Sequence, residues 1–121
     1  MSFTFSVKGR DLPIADKTDS DPYFKFYVNG EKIYKSKTIK NTLNPDWDEF
    51  TVSRDKFGQF PRMVDVKVEV WDDDGIGKND YMCSGYFKII NGIGVPAFVV
   101  DLKNEKTGDE QGKLHVRVNE D

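Results

Sequence analysis

The chain has 121 residues, of which 37% are hydrophobic and 13% aromatic, and it carries a formal net charge of −3. This length and composition predict one domain over residues 1–121 with a core of its own, and they exclude a disordered chain. The acidic balance argues against nucleic acid as a partner, and every apolar run is far shorter than the ~20 residues of a membrane-spanning helix. Met1-Ser2-Phe3 opens no signal peptide and Cys83 has no second cysteine to pair with, so we expect a cytoplasmic protein.

Almost every segment alternates apolar and polar residues with period two, which indicates strands, apart from a possible turn around residues 54–60. The alternation predicts eight strands: Phe3–Lys8, Tyr23–Val28, Ile33–Ile39, Trp47–Ser53, Val64–Trp71, Gly85–Ile90, Ala97–Leu102 and Lys113–Asn119. Turn signals such as Asn29-Gly30 separate them, so the expected fold is an all-β, eight-stranded antiparallel β-sandwich. The apolar positions should face the core, and polar neighbours such as Lys113, His115 and Arg117 should face water.

Two acidic segments interrupt this pattern. The first, residues 11–23, joins the first two strands and contains Asp11, Asp16, Asp19 and Asp21. The second, residues 70–80, holds Asp72, Asp73, Asp74 and Asp80 together with two glycines. Like charges at this density repel one another, and a hard cation such as Ca²⁺ would relieve that repulsion. A solvated acidic turn is the open alternative, since aspartate and glycine also favour exposed turns.

The second acidic segment does not fit an EF-hand loop. With Gly77 at the sixth position of such a loop, Cys83 occupies the twelfth, where a bidentate glutamate is required, and with Gly75 sixth the twelfth residue is Tyr81. Strand-like sequences also flank the segment. In an antiparallel sandwich, alternate connections lie at the same end, so the two acidic segments are able to meet over one cation site.

The acidic segments, Ser20-Asp21-Pro22-Tyr23 and the run Thr42-Leu43-Asn44-Pro45-Asp46-Trp47-Asp48-Glu49-Phe50 together resemble a C2 domain over the whole chain. The first strand leads directly into Asp11-Leu12-Pro13, which resembles the permuted topology called type II. The resemblance implies two calcium ions held by the side chains of Asp16, Asp21, Asp72, Asp74 and Asp80. It also implies backbone ligands at Ala15, Asp73 and Lys78.

The same resemblance implies calcium-dependent binding to anionic phospholipid, with calcium bridging to phosphatidylserine and recruiting a peripheral protein to the membrane as calcium rises. Ile76 and Lys17 stand where relatives place residues that contact the bilayer. The residues Tyr23, Lys25, Lys35 and Trp71 resemble a phosphoinositide site of conventional protein kinase C, although Tyr27 and Ile33 replace lysines of those relatives. Lys35 and Lys37 are predicted to share a strand face, and Lys40 continues this basic stretch. A lysine face that serves solubility alone is the open alternative.

A second function remains open, in which the acidic residues are structural and the chain is a calcium-independent protein-interaction module. We expect no enzyme, because Cys83 and His115 lie on distant strands and no nucleophile and base pair up. Paired carboxylates also serve glycosidases, but acids that converge on adjacent loops favour metal coordination. We expect a monomer that contacts membranes and, where they are present, other domains or proteins.

Overall fold

The structure is a computed structural model that describes residues 1–14, 20–59, 63–75, 77, 79–90 and 97–120. These residues form eight strands: β1 (Ser2–Arg10), β2 (Pro22–Val28), β3 (Glu31–Lys35), β4 (Phe50–Ser53), β5 (Met63–Asp73), β6 (Asn79–Ile90), β7 (Ala97–Lys103) and β8 (Glu110–Glu120). A short 3₁₀ helix, Arg54–Phe57, follows β4 where the sequence predicts a turn. Within these ranges, no helix is long and apolar enough to cross a bilayer.

The strands are antiparallel and follow the order β3-β2-β5-β6-β7-β8-β1-β4. Strands β6 and β7 are paired at one described position, Ser84 opposite Lys103, so the sheet divides there into two four-stranded halves. The halves face each other, since the ring of Phe5 on β1 packs 5.2 Å from that of Phe26 on β2 and 6.3 Å from that of Phe87 on β6. The predicted antiparallel β-sandwich is confirmed, and the type II assignment stays a prediction.

The core contains the residues that the alternation predicts to point inward, together with others outside the predicted alternation such as Leu12, Phe57 and Met82. On β1 and β8 these are Phe3, Phe5, Val7, Leu114, Val116 and Val118, and all are buried. Their polar neighbours on β8 are exposed, as predicted. Between the edge strands β3 and β4, the rings of Tyr34 and Phe50 stack 3.8 Å apart and cover the open side of the core. Each fully buried phenylalanine contributes roughly 1.5–3 kcal/mol, so this aromatic core is the main source of stability.

The predicted strand Ile33–Ile39 is wrong beyond Lys35. The N–H of Phe24 donates to the hydroxyl of Ser36 at 2.9 Å, so a side chain takes the place of the next backbone carbonyl and the ladder ends. Lys37 therefore lies outside β3, and the predicted strand face shared by Lys35 and Lys37 is also wrong.

The fourth strand begins at Phe50 rather than at the predicted Trp47. Trp47 instead anchors the long connection between β3 and β4. Its backbone N–H donates to the carbonyl of Val7 at 3.2 Å, and its indole N–H donates to the carbonyl of Lys37 at 3.0 Å. The ring packs edge-on against Phe24, 4.8 Å between centroids. The connection is therefore held against the core by this ring and by an isolated β-bridge, Lys8 opposite Asp46, and not by a continuous strand.

Strands β5 and β6 reach further into the second acidic segment than the sequence predicts. β5 continues to Asp73 instead of ending at Trp71, and β6 begins at Asn79 instead of Gly85. Pairing with β2 supports this extension, since the N–H of Asp73 donates to the carbonyl of Asp21 at 3.0 Å. Asp72 and Asp80 are consequently strand residues with defined partners, not members of a free loop.

Candidate metal and lipid site

The two acidic segments lie at the same end of the sandwich, as predicted. β1 and β5 end there, and β2 and β6 begin there. At that end Asp72 on β5 pairs with Pro22 on β2 on one side and with Asp80 on β6 on the other. The backbone pairing of three strands thus places Asp21, Asp72 and Asp80 at neighbouring positions, which we call the acidic row.

A β-bulge brings Asp80 into the acidic row. Val70 is opposite Cys83 and Trp71 is opposite Tyr81, so Met82 is an extra residue on β6. One extra residue reverses the alternation of side chains from that point along the strand. As a result Asp80 lies directly opposite Asp72, where cross-strand partners share one face of the sheet.

Asp72 has a side chain that is 0% exposed. In the part of the chain that the structure describes, it is the one fully buried carboxylate. Its Oδ1 accepts a hydrogen bond of 2.7 Å from the N–H of Asp21. Burying an ionised carboxylate is costly unless hydrogen bonds or a cation compensate it, so this position is far from an ordinary acidic turn.

Asp21 is fixed by the connection between β3 and β4. Its Oδ1 accepts a hydrogen bond of 2.7 Å from the N–H of Asn41, a residue with a positive φ of 57°. The N–H of Thr42 donates to the carbonyl of Ser20 at 2.9 Å, one residue earlier. These bonds hold one carboxylate oxygen of Asp21 in place while its side chain remains half-buried beside Asp72.

Asp73 has a different role from its neighbours. Its carboxylate accepts hydrogen bonds of 2.9 Å from the N–H of Gly75 and 2.9 Å from the hydroxyl of Thr38. The hydrogen bond from Gly75 makes the larger contribution, and together with the bond from Thr38 it holds the pKa of Asp73 below its usual value. Each carboxylate oxygen of Asp73 thus accepts a hydrogen bond, one from the turn after β5 and one from the connection between β3 and β4. The backbone role that the resemblance gives Asp73 stays a prediction.

The structure therefore assembles part of the predicted ligand set. Asp74 is exposed at the end of β5. Ala15, Asp16 and Lys78, like the predicted bilayer contacts Lys17 and Ile76, lie outside the described residues. Among the residues that are described, no group of three or more aspartate, glutamate, histidine or cysteine side chains is close enough to hold a metal ion.

The predicted lipid contacts Tyr23, Lys25, Lys35 and Trp71 come together on the outer face of β2, β3 and β5, and we call them the lysine patch. Lys25 Nζ lies 4.3 Å from the centre of the Trp71 ring, and Lys35 Nζ lies 5.0 Å from the centre of the Tyr23 ring. Tyr23 is only 1% exposed, so it forms the floor of the patch and does not offer a surface of its own. Cation–π contacts of this kind hold the two ammonium groups above aromatic rings.

The charges of the lysine patch are incompletely balanced. Partial burial and the neighbouring Lys32 and Lys35 lower the pKa of Lys25, against the opposing effect of Glu69. Glu69 accepts a hydrogen bond of 3.1 Å from the indole N–H of Trp71 and lies 3.5 Å from Lys67 Nζ, so its charge is shared with residues other than Lys25. An anionic group placed above the patch would relieve the repulsion among these lysines.

Asn79 links the lysine patch to the acidic row, and sequence reasoning missed it. Its amide Nδ2 donates to the Tyr23 hydroxyl at 2.8 Å, and its backbone pairs with Asp73. Burial raises the pKa of Tyr23, so this hydroxyl stays neutral and accepts that bond. The one feature of the sequence that could have indicated this role is the position of Asn79 immediately before Asp80.

Lys37 and Lys40 are exposed on the connection between β3 and β4, at the acidic end of the domain. The carbonyl of Lys37 accepts hydrogen bonds from Ser36 and Trp47, so its backbone is fixed while its ammonium group faces solvent. Lys40 directly precedes Asn41, whose N–H holds Asp21. Both lysines are therefore placed beside the acidic row rather than on a continuous strand.

Cys83 and His115 do not form a catalytic pair. Cys83 is fully buried opposite Val70, and burial raises the pKa of its thiol to about 12. His115 is exposed on β8, in the other half of the sandwich. The interpretation of Cys83 as a packed side chain and of His115 as a surface residue is confirmed.

The chain is a small β-sandwich module of two antiparallel sheets, with acidic residues at one end of its strands. A family model of the C2 domain matches residues 4–91, and the chain belongs to this family. It is 43% identical over 104 residues to Tricalbin-1 of Saccharomyces cerevisiae, covering 80% of this chain and 8% of that protein. It is 32% identical over 85 residues to Copine-B of Dictyostelium discoideum, covering 67% of this chain and 16% of that protein. The chain thus spans a small part of these relatives.

Solved structures show the same fold. A C2 domain of plant Extended Synaptotagmin 1 superposes with a TM-score of 0.75 at 23% identity, covering 98% of this chain and 91% of that chain. A structure described only as that of a C2 domain gives a TM-score of 0.70 at 21% identity, covering 98% of this chain and 96% of that chain. Both likenesses extend past residue 91, so β7 and β8 belong to the same fold as the part matched by the family model.

Proposed function

We propose that the chain is a calcium-dependent membrane-targeting module that binds anionic phospholipid through the acidic end of its sandwich. It acts by binding and not by catalysis. Membership of the C2 family supports this proposal, and the buried carboxylate of Asp72 in the acidic row is the observation that carries it. A carboxylate that is 0% exposed between two other acids is costly in the absence of a cation.

Asp21, Asp72 and Asp80 offer the hard oxygen ligands that calcium prefers. Asp16 and Asp74, with the backbone carbonyls of neighbouring residues, would complete the coordination of two ions. Those backbone ligands are Ala15, Asp73 and Lys78. The backbone N–H groups of Asn41 and Asp21 each fix one carboxylate oxygen, that of Asp21 and that of Asp72 respectively.

The charge of the acidic row, together with that of Asp16 and Asp74, provides the switch. In the absence of a cation the five aspartates repel the headgroups of an anionic membrane. Bound calcium supplies positive charge and open coordination positions for phosphatidylserine oxygens. Ile76 and Lys17 would then contact the bilayer, and burying one isoleucine contributes roughly 1.5–3 kcal/mol at most, so docking depends on the acids.

The lysine patch gives a second contact with the same membrane. Lys25 and Lys35 project from the outer face of β2 and β3, and Lys37 and Lys40 lie at the acidic end. Each lysine near an anionic surface contributes on the order of 1 kcal/mol. The incomplete balance of charge around Lys25 favours a multivalent headgroup such as a phosphoinositide over an isolated carboxylate.

Co-sedimentation with vesicles tests this function. The chain should pellet with phosphatidylserine vesicles in calcium, and it should stay in solution with a chelator or with pure phosphatidylcholine vesicles. The double variant Asp72→Asn/Asp74→Asn should lose the calcium-driven fraction. Undiminished pelleting of this variant would contradict the calcium bridge, and no pelleting of the native chain in any condition would favour a calcium-independent protein-interaction module.

In a cell, this mechanism gives a monomeric, cytoplasmic domain that becomes a peripheral membrane protein as calcium rises. Residues 1–121 would act as one such domain.

A further inference from the structure

A second basic surface lies on the outer face of β1, β7 and β8, in the half of the sandwich that does not carry the lysine patch. Outward positions of β1 and β8 pair across the sheet as Lys8 with His115, Arg10 with Lys113, and Ser6 with Arg117. These six positions hold four permanent cations and no carboxylate. In a chain with a formal net charge of −3, this is a strong local concentration of positive charge.

Part of that charge is left without a partner. Arg10 forms an ion pair of 2.8 Å with Asp46, and Lys113 lies 3.5 Å from Asp101. Among the ion pairs formed by described residues, none involves Lys8 or Arg117, and both side chains are exposed. Uncompensated cations on a folded surface attract a ligand of opposite charge.

The surface is also concave and partly apolar. A groove of about 440 Å³ runs over the three strands, and Lys8, Arg10, His115 and Arg117 are among the residues that line it. Val99 on β7 pairs with His115 and is 54% exposed, so an apolar side chain lies beside the cations in the groove. A groove with this lining matches an extended chain that carries carboxylates and an apolar side chain, whereas a planar headgroup layer would not fill it.

The position of the groove favours a protein over a membrane. Lys25 alternates along β2 with the buried Phe24 and Phe26, and Lys8 alternates along β1 with the buried Val7. The lysine patch and the groove therefore lie on the two outer faces of one sandwich, and these faces point in opposite directions. A flat membrane in contact with the lysine patch leaves the groove open to solvent.

We propose that the groove of β1, β7 and β8 binds an acidic protein segment in extended conformation. Glutamate or aspartate side chains of the partner would contact Lys8, His115 and Arg117, and an apolar side chain would pack on Val99. This binding requires no calcium, because none of the three cations belongs to the acidic row. The domain would then hold a membrane on one face and a protein partner on the other.

The probe is a fluorescein-labelled peptide in which glutamates and serines surround a central valine, and its anisotropy is followed as the chain is added in chelator. The native chain should bind it, and added salt should weaken the binding. The variant Lys8→Glu/Arg117→Glu should bind at least about tenfold more weakly, the effect of reversing two charges at a binding surface. The matched variant Lys25→Glu/Lys35→Glu changes the formal charge equally on the opposite face and should bind within about twofold of the native chain.

Backbone amide shifts recorded by NMR should change on β1, β7 and β8 when the peptide is added. Equal weakening by both variants would overturn the proposal, since attraction would then follow net charge alone. Shifts confined to the lysine patch would also overturn it, since the peptide would then bind the opposite face. Failure of the native chain to bind the peptide would also overturn it. Phosphatidylserine vesicles form the third arm: vesicle binding in chelator that is lost in Lys8→Glu/Arg117→Glu would assign the groove to a membrane instead.

Discussion

The acidic row and the lysine patch share strands β2 and β5, yet their charges are held in different ways. Asp72 is fully buried and is fixed by strand pairing and a hydrogen bond from the backbone of Asp21. Lys25 and Lys35 are held by aromatic rings 4.3 and 5.0 Å away, with their ammonium groups toward solvent. The row therefore has the fixed geometry that ion coordination requires, whereas the patch is able to adjust to a headgroup of variable position.

Asn79 and Tyr23 connect the two regions. The bond of 2.8 Å from Asn79 to the Tyr23 hydroxyl joins the floor of the patch to the strand that carries Asp80. Changes in the acidic row should therefore abolish the response to calcium, and changes in the patch should alter the affinity for lipid while the response to calcium persists.

Replacing Asp72 with asparagine should have the largest effect. The amide keeps an oxygen that accepts the bond from Asp21 but loses the negative charge, so the calcium concentration for half-maximal vesicle binding should rise on the order of a hundredfold. In chelator the free energy of unfolding should stay equal or rise, since a buried charge is removed. Asp65→Asn, at an exposed acid near the other end of β5, is the matched control and should change neither quantity. A loss of stability with normal calcium binding in Asp72→Asn would contradict this assignment.

Replacing Asp80 with asparagine should have the next largest effect. Asp80 lies opposite Asp72, and the amide removes one carboxylate from the acidic row while it keeps the shape of the side chain. We expect the calcium concentration for half-maximal vesicle binding to rise about tenfold or more, the effect of losing one ligand interaction. Asp109→Asn, at an exposed acid in the connection between β7 and β8, is the matched control and should behave as the native chain. An unchanged calcium response in Asp80→Asn would show that Asp80 is not a calcium ligand.

Replacing Lys25 and Lys35 with glutamine should have a smaller effect. Affinity for phosphatidylserine vesicles in saturating calcium should fall about five- to tenfold, less than two fully available lysines at ~1 kcal/mol each would give. The calcium binding of the free chain should not change, as titration calorimetry would report. Vesicles that contain a phosphoinositide should show a larger loss than vesicles of phosphatidylserine alone. An unchanged affinity for both kinds of vesicle would leave the patch as a solubility feature.

Cys83 provides a test of the packing of β6 that does not involve calcium or lipid binding. Its pKa is raised from an ordinary 9.0 to about 12 by burial, so the folded state keeps a proton that the unfolded state releases. The thiol should therefore cause no change of stability with pH below 9.0, and it should lower stability as pH rises from 9.0 toward 12. At pH 8 its reaction with a thiol reagent should be far slower in the native chain than in urea. Fast labelling of the native chain would contradict the packing of β6 against β5.

The sequence predicts the inward face of β1, β2, β5, β7 and β8 and of the second half of β6, because each face follows from an alternation that one buried side determines. It does not predict where pairing stops. The hydroxyl of Ser36 ends the ladder of β3, and nothing in the surrounding alternation distinguishes that serine from a strand residue. The hydrogen bonds of Trp47 to Val7 and Lys37 depend on tertiary placement. The sequence therefore did not predict that Trp47 lies in an anchored connection and not in a strand.

The acids of the candidate site are also predictable from the sequence, but their arrangement is not. The segment from Asp72 to Asp80 reads as a loop because of its glycines and charge, whereas pairing with β2 extends β5 to Asp73. The bulge at Met82 has no sequence signal, since a methionine between Tyr81 and Cys83 fits a regular strand. The burial of Asp72 follows from the extension of β5, because Asp72 continues the inward alternation of Val68 and Val70.

Calcium titration of the free chain, followed by amide NMR shifts, tests the acidic row most directly. The account predicts saturable shifts at Asp21, Asp72 and Asp80 that magnesium does not reproduce and that Asp72→Asn abolishes. Shifts that remain in Asp72→Asn, or a native chain with no shift in this row at saturating calcium, would contradict it.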